Sequence, residues 1–279
     1  MPTAATELTS RSAHFEFGKN WSDFSKLVDE ERLEMATESV HRLVPDIAGK
    51  TFLDIGSGSG LFSVAALRLG AARVHAVDID ENSVATTRKL LGNFAGERPW
   101  KAEQASVFDL SPDKLGQFDV VYSWGVLHHT GDMWRAIESA SKMVAPGGTF
   151  AFALYERTPL CGLWRVEKRT YMRLPSAAQR GLCWLYKAAY QSARVLSGKG
   201  LRRGTLTRGM NTDNDIHDWL GGYPYESTGR DEVREHLEPL GFEPVLEEPV
   251  KIHLAGLFGS GCSEYVYKRR PAGRTRAKR

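Results

Sequence analysis

An α/β fold built on a mostly parallel sheet is what this sequence predicts, and three observations carry the prediction. Short apolar runs alternate with helical patterns from Thr51 to Glu156. The first run leads through a glycine-rich turn directly into a helix, and the second ends in an acid, Asp78. Strand and helix alternating at this spacing give parallel strands with helices on both faces.

Residues 1–14 read as a frayed end, and 1–48 as an N-terminal helical cap. Phe15, Phe17 and Trp21 make an aromatic cluster ahead of a helical stretch from about Asp23 to Leu43, which Pro45 and Gly49 close. Strand 51–55, a helix to 69, strand 73–77 and a helix from about Asn82 to Asn93 come next. A weak strand near 101–106, strand 118–123, a helix from about Met133 to Met143 and strand 149–154 complete the core, 49–156. Beyond Glu156 the alternation stops. Residues 157–228 carry helical spacing in two pieces, about 162–173 and 177–196, separated by Pro175. The sheet pattern returns over 229–268 with a helix from Arg230 to Leu240 and strands 242–247 and 263–268. Residues 269–279 form a basic tail without apolar periodicity, read as disordered.

Bulk properties narrow the class. A chain of 279 residues, 42% hydrophobic and 25% charged, has the composition of a soluble globule. Cys161, Cys183 and Cys262 are odd in number and far apart, so neither a disulfide framework nor a zinc spacing follows, and a reducing cytoplasm is expected. The first 20 residues lack the basic start and apolar stretch of a signal peptide. The net charge is only +3, yet twelve Lys or Arg and one acid, Glu167, lie between Arg157 and Arg208. Lys268 to Arg279 adds seven basic residues and no acid.

The glycine turn needs a second signal before it says more. A nicotinamide dehydrogenase also shows glycines after its first strand and an acid about 20 residues on. Here the spacing is G-x-G-x-G over Gly56, Gly58 and Gly60, with Asp54 two residues ahead, whereas the dinucleotide fingerprint is G-x-G-x-x-G. Asp78, the run Phe118 to His129 and the turn Val144 to Phe150 then follow in order. Together these resemble the class I S-adenosylmethionine (SAM)-dependent methyltransferases. The resemblance implies a Rossmann-like sheet of seven strands, mostly parallel with a late antiparallel pair, and makes 157–228 a helical substrate lid inserted after strand five. A further stretch, Met210 to Glu226, contains Asp218-Trp219-Leu-Gly221-Gly222-Tyr223-Pro224-Tyr225-Glu226. With Phe15, Phe17, Gly18, Asn20, Trp21, Trp164, Lys168, Tyr171 and Pro175, it resembles a stand-alone subgroup of small-molecule methyltransferases, distantly similar to the ubiquinone-pathway O-methyltransferases.

What the resemblance implies about the site is specific on the cofactor side. Gly56, Gly58 and Gly60, with Ser57 between them, would let the backbone approach the methionine end of SAM, with Asp54 ordering the turn. Asp78 would accept the ribose hydroxyls, unless it serves only as a helix N-terminal charge, and Ile79 would flank the adenine. Ser106 and Val107 would read the adenine edge, while Ser123 and Trp124 close the floor. Trp21 and Phe17 are packing aromatics or a lid on the cofactor. The acceptor side is less determined. Histidine titrates near neutrality and can take a hydroxyl proton, so His129, His128 and His217 are the candidate bases. The histidine pair could equally contact SAM or fix its loop. Trp219, Tyr223 and Glu226 are substrate-side candidates, or packing around the Gly-Gly turn. No acidic cluster stands near the cleft strands, so no metal is expected.

Methyl transfer to a small molecule, most readily at oxygen, is the leading expectation; the basic insertion reads as a lid with solvated charges, as a source of one or two cleft cations for an anionic acceptor, or as a surface for a lipid-like one. An amphipathic basic helix there could also rest on an anionic membrane. RNA methylation is the alternative enzyme reading, although no RNA-binding module is recognisable and nucleic acid is not the expected partner. A non-catalytic SAM-binding regulatory domain is the third. Oligomeric state is left open by the sequence.

Overall fold

The computed structural model describes residues 28–196, 212–252 and 256–271, together with Trp21, Gly198 and Arg208. Expectations placed on Phe15, Phe17, Gly18, Asn20, the first turns of the N-terminal helix and the tail beyond Pro271 lie outside the described residues.

Seven strands form one sheet: β1 (Thr51–Ile55), β2 (Arg73–Asp78), β3 (Trp100–Gln104), β4 (Phe118–Trp124), β5 (Val144–Tyr155), β6 (Phe242–Glu248) and β7 (Cys262–Arg269). Their order is β3-β2-β1-β4-β5-β7-β6. The first five pair in parallel, and β7 runs antiparallel to both β5 and β6. Strand β1 lies between β2 and β4, so chain crossovers leave it in opposite directions. The crevice that opens at the carboxyl ends of β1 and β4 is where such sheets bind ligands.

Helices α1 (Glu30–Leu43), α2 (Leu61–Arg68) and α3 (Glu81–Phe94) cover one face; α5 (Met133–Lys142) and α9 (Arg230–Leu237) cover the other. A short α4 (Pro112–Leu115) precedes β4. The period-2 geometry of a strand divides the core between these faces. Phe52, Val120 and Tyr122 pack with Leu33, Val64 and Leu91. Their neighbours Leu53, Val121 and Phe150 pack with Ile137 and Val233 on the opposite side. Burial on both sides explains why β1 reads as a continuous apolar run. Local signals set the helix starts. Asp29 and Asp80 accept hydrogen bonds from the backbone N–H of Arg32 (3.0 Å) and Asn82 (2.7 Å), as N-caps do.

Three helices lie between β5 and α9: α6 (Cys161–Tyr171), α7 (Ser176–Leu196) and α8 (Thr212–Gly221). They share a small core of Trp164, Tyr171, Ile216, Leu220 and Tyr225. A parallel bridge between Glu156 and Thr228 ties the two ends of this block together at the edge of β5. The N–H of Thr228 donates to the carbonyl of Tyr155 at 3.0 Å, and that of Arg157 to Thr228 at 3.0 Å. Two elements differ in extent from the sequence expectation. Strand β5 begins at Val144 rather than 149, because Val144 pairs with Phe118 before a register shift. Helix α9 stops at Leu237, three residues early, and Gly241 at φ 88° carries the chain into β6.

Candidate active site

The crevice is a cavity of about 400 Å³, walled by the ends of β1, β2 and β4, the loop after β4, and residues of the insertion. Its cofactor side follows from β1. The strand delivers Asp54 to the crevice, and the chain turns through Gly56, Gly58 and Gly60 into α2, all three at positive φ. All three are required by close approach as well as by conformation, a Cβ on Gly60 meeting the Thr87 backbone at 2.9 Å. A Cβ on Gly56 would stand 2.4 Å from the Val126 side chain, and one on Gly58 2.9 Å from the Trp21 indole. The loop after β4 and Trp21 thus close directly on the glycine turn. Gly60 lies off the cavity wall and caps α2 in the left-handed conformation.

Asp54 is buried and accepts a hydrogen bond from the Ser63 hydroxyl (2.6 Å). Desolvation outweighs that bond and, with repulsion from Asp78, lifts its carboxyl to about 7. Asp78 accepts from the backbone N–H of Gly58 and of Asp80, each at 2.9 Å. Desolvation still raises it to about 6, against those hydrogen bonds. Two desolvated carboxylates at the end of adjacent strands are poorly compensated alone. A ligand bringing hydroxyl donors and an ammonium group would satisfy both. Ser57, Ile79, Ser106, Val107 and Trp124 join them on the wall. Ser106 accepts from Phe108 N–H at 3.3 Å and so shapes the adjoining turn. Ser123 lies beneath the wall, where its hydroxyl donates to the Ile55 carbonyl (3.1 Å).

The two adjacent histidines of the loop after β4 are held differently. His128 is fully buried and tilted against Tyr155 with ring centroids 3.9 Å apart. Its Nδ1 lies 3.3 Å from the Tyr155 backbone N–H, and the Ala153 backbone is a further hydrogen-bond partner of the ring. Desolvation, with His129 and Lys168 adding repulsion, holds its pKa well below the ordinary value, so the ring stays neutral. Its Nε2 has no hydrogen-bond partner among the described residues. His129 Nδ1 lies 2.8 Å from the Pro224 carbonyl, which can only accept. The Nδ1 proton is therefore fixed there, and the neutral ring carries its lone pair on Nε2.

Residues 218–226 form the bed on which this pair rests. A Cβ on Gly222 would stand 2.7 Å from His129 Cε1, so glycine lets the backbone lie against the ring. Glu226 N–H donates to the His128 carbonyl at 3.0 Å. The Glu226 carboxylate accepts from Met133 N–H at the start of α5 (3.0 Å), off the cavity wall. His217 also lies off the wall, its Nδ1 2.9 Å from the Tyr171 hydroxyl. Tyr223 precedes a cis peptide bond to Pro224 and likewise does not line the cavity. Trp219 does line it.

Sequence reasoning passed over Tyr122, Tyr155, Asp218 and Arg208, all on the wall. Tyr122 and Tyr155 could have been found by following the carboxyl ends of β4 and β5; Arg208 carries no such signal. Lys168 was noted only as a motif residue. It is fully buried, with Nζ 3.7 Å from the Trp219 ring centroid. Burial pulls its pKa down against the opposing charges of Glu167 and Asp218. Among the described residues no group of three or more His, Cys, Asp or Glu side chains is placed to hold a metal ion.

Known proteins agree with this geometry. Residues 53–150 match the family model of a methyltransferase domain. Over 113 residues the chain is 38% identical to a ubiquinone biosynthesis O-methyltransferase of Caulobacter vibrioides, covering 39% of this chain and 42% of that one. A protein of the same description from Neisseria meningitidis is 28% identical over 178 residues, covering 63% and 68%. The chain thus matches less than half the length of the Caulobacter relative. In fold it is similar to magnesium protoporphyrin IX methyltransferase of Synechocystis with bound S-adenosylhomocysteine (SAH), at TM-score 0.52 and 16% identity over 85% of this chain and 83% of that one. A SAM-dependent methyltransferase of Mesorhizobium loti gives 0.51 and 18% over 83% and 96%. The glycine turn, the acid ending β2 and the sheet order thus accompany a match to a methyltransferase domain over residues 53–150 and a fold similar to that of the class I SAM-dependent methyltransferases. SAM is the cofactor of that class, and the desolvated pair Asp54 and Asp78 fits its ammonium and ribose hydroxyls.

Proposed function

We propose that this protein transfers the methyl group of SAM to an oxygen atom of a small-molecule acceptor, with His129 as the general base. The observation that carries this reading is the hydrogen bond from His129 Nδ1 to the Pro224 carbonyl, which assigns the lone pair to Nε2 beside the cavity. Bound SAM supplies an electrophilic methyl carbon on a positively charged sulfur. The acceptor oxygen forms the new C–O bond as the C–S bond breaks, sulfur keeps that electron pair, and the hydroxyl proton passes to His129. Exclusion of water by Trp21, Trp124 and Trp219, and alignment of the two reactants, supply the larger part of the acceleration; a positioned base adds about 10²–10⁴-fold. Neutral His128 cannot gain a proton in its buried site. Trp219 lines the cavity and its indole N–H is a buried donor without an acceptor among the described residues, which suits an acceptor bearing a further oxygen atom. Oxygen is also the atom methylated by the relatives described as ubiquinone biosynthesis O-methyltransferases.

Incubation with methyl-labelled SAM and a panel of hydroxylated aromatic acceptors tests the reading. Label should appear on oxygen and depend on His129. Label on nitrogen or carbon would contradict the oxygen assignment, and SAM binding with no transfer to any acceptor would favour a regulatory domain.

Peripheral membrane contact is a second element of the proposal. Helices α6 and α7 leave Leu163, Val166, Trp184 and Leu185 more than half exposed, beside Arg169, Arg173, Arg180 and Lys187. An amphipathic basic surface with an exposed Trp suits an anionic bilayer. Among the described residues no helix is long and apolar enough to cross a membrane. We assign the protein to the cytoplasm, since three widely spaced cysteines, odd in number, suit a reducing compartment.

A further inference from the structure

Arg208 is the one non-glycine residue at positive φ among the described residues, at 59°. Left-handed backbone at a residue with a Cβ costs energy and tends to persist where a function holds it. Its side chain is almost fully enclosed, 11% exposed, and lines the cavity. The guanidinium lies over the Trp124 ring at 4.2 Å and the Phe62 ring at 5.2 Å. Nη2 donates to the Tyr122 hydroxyl (2.7 Å), Nη1 donates to Glu264, and Nε is buried with no acceptor among the described residues.

Glu264 is shared in this corner. That carboxylate also accepts from Trp124 Nε1 (2.7 Å) and from Arg42, whose other Nη donates to Glu248 (2.5 Å). Asp54 stands nearby: it pairs with Tyr122 across β1 and β4, and the charges of Asp54 and Arg208 both reach the Tyr122 hydroxyl. One end of the cavity therefore presents a buried anion and a buried cation together. The ribose-side carboxylate, Asp78, terminates β2 on the other flank of β1.

We propose that Arg208 binds the α-carboxylate of the methionine moiety of SAM, while Asp54 faces its α-ammonium. The inference rests on the SAM-dependent reading and extends it: the amino-acid end of the cofactor is held jointly by the sheet, through Asp54, and by a residue that follows α7 of the insertion. Arginine suits the task because its planar fork makes paired, charge-assisted hydrogen bonds to a carboxylate and stacks on aromatic faces.

Binding calorimetry with two ligands separates this role from a structural one. SAH carries the amino-acid moiety, whereas 5′-methylthioadenosine carries the same nucleoside and thioether without it. Arg208→Met should weaken SAH by about 10–100-fold, the loss expected of one or two charge-assisted bonds. The same variant should leave 5′-methylthioadenosine within about two-fold, which also reports that the cavity remains folded. Arg208→Lys, which keeps the charge and loses the fork, should fall between. Unchanged SAH affinity in Arg208→Met, or equal losses for both ligands, would overturn the assignment while leaving the cofactor intact. A wild-type chain that binds neither ligand would overturn the SAM-dependent reading and this assignment with it.

Discussion

In the proposed account cofactor binding turns on Asp54 and Asp78, whose environment would make the binding pH-dependent. Both carboxyls are raised by desolvation, to about 7 and about 6, so Asp54 is about half protonated at neutrality and Asp78 takes up its proton about one pH unit lower. Ligand hydroxyl donors and an ammonium need the ionised forms. SAH affinity should therefore be full at about pH 8 and decline as pH falls through 7 and 6, by at most about tenfold per unit for each proton taken up. The sign for folding without ligand is opposite. Groups whose native pKa is raised bind more protons folded than unfolded, so these two contribute stability as pH falls from about 7 towards 4. The thermal shift caused by SAH should accordingly be larger at about pH 8 than at about pH 6; a shift independent of pH would contradict the raised values. At His129, substitution by Asn keeps a donor for the Pro224 carbonyl and removes the lone pair. His129→Asn should lower kcat by about 10²–10⁴ with SAH affinity nearly intact, and the loss should shrink at high pH, where the acceptor ionises unaided. A variant retaining most of its turnover would leave alignment as the source of catalysis.

Among the elements, the segment 218–226 links the insertion to the loop after β4 that carries His128 and His129. It puts the Gly222 backbone against His129, the Pro224 carbonyl on Nδ1, and Glu226 N–H on the His128 carbonyl. Gly222→Ala would drive a methyl group into the His129 ring and the Asp218 carbonyl, at 2.7 and 2.8 Å. Overpacking of that kind costs about 1–3 kcal/mol. The expected result is a fall in kcat with unchanged SAH affinity, read by turnover and calorimetry side by side; equal losses in both would mean that the segment supports the whole cavity. Helix α7 makes a separate prediction. Sedimentation with vesicles should need acidic lipid and weaken as salt rises, and no binding at low salt would remove the membrane contact from the account. The segment's motif was legible in the sequence, but its role was not. Trp219 proved to be wall, whereas His217, Tyr223 and Glu226 lie off the wall, because periodicity does not say which face of a short irregular segment meets a loop about 90 residues earlier.

Across the whole molecule, the elements that could be read were those whose signals are local. Strands β1, β2 and β4 are apolar on both faces, and Asp29 and Asp80 mark helix starts, so their positions followed from composition and spacing alone. That the glycine turn and Asp78 meet at one cavity followed for the same reason: adjacent strands bring their ends together in any such sheet. Arg208 and Lys168 could not be found that way. Each is one basic residue among twelve between Arg157 and Arg208, and only tertiary packing buries one beneath Trp219 and the other on Trp124. The basic insertion left open whether its charges are solvated or whether one or two cations serve an anionic acceptor inside the cleft; among its described residues the enclosed cations are Lys168 and Arg208.

The central claim is that the crevice at the ends of β1, β2 and β4 binds SAM through Asp78. Calorimetric titration of SAH into the wild type and Asp78→Ala at about pH 8 tests it most directly. The account predicts one site per chain with micromolar affinity in the wild type. Removing up to two charge-assisted hydrogen bonds, worth roughly 1.5–3 kcal/mol each at most, should weaken it at least tenfold in the variant. Equal affinities in the two proteins, or wild-type binding of NAD in preference to SAH, would contradict it.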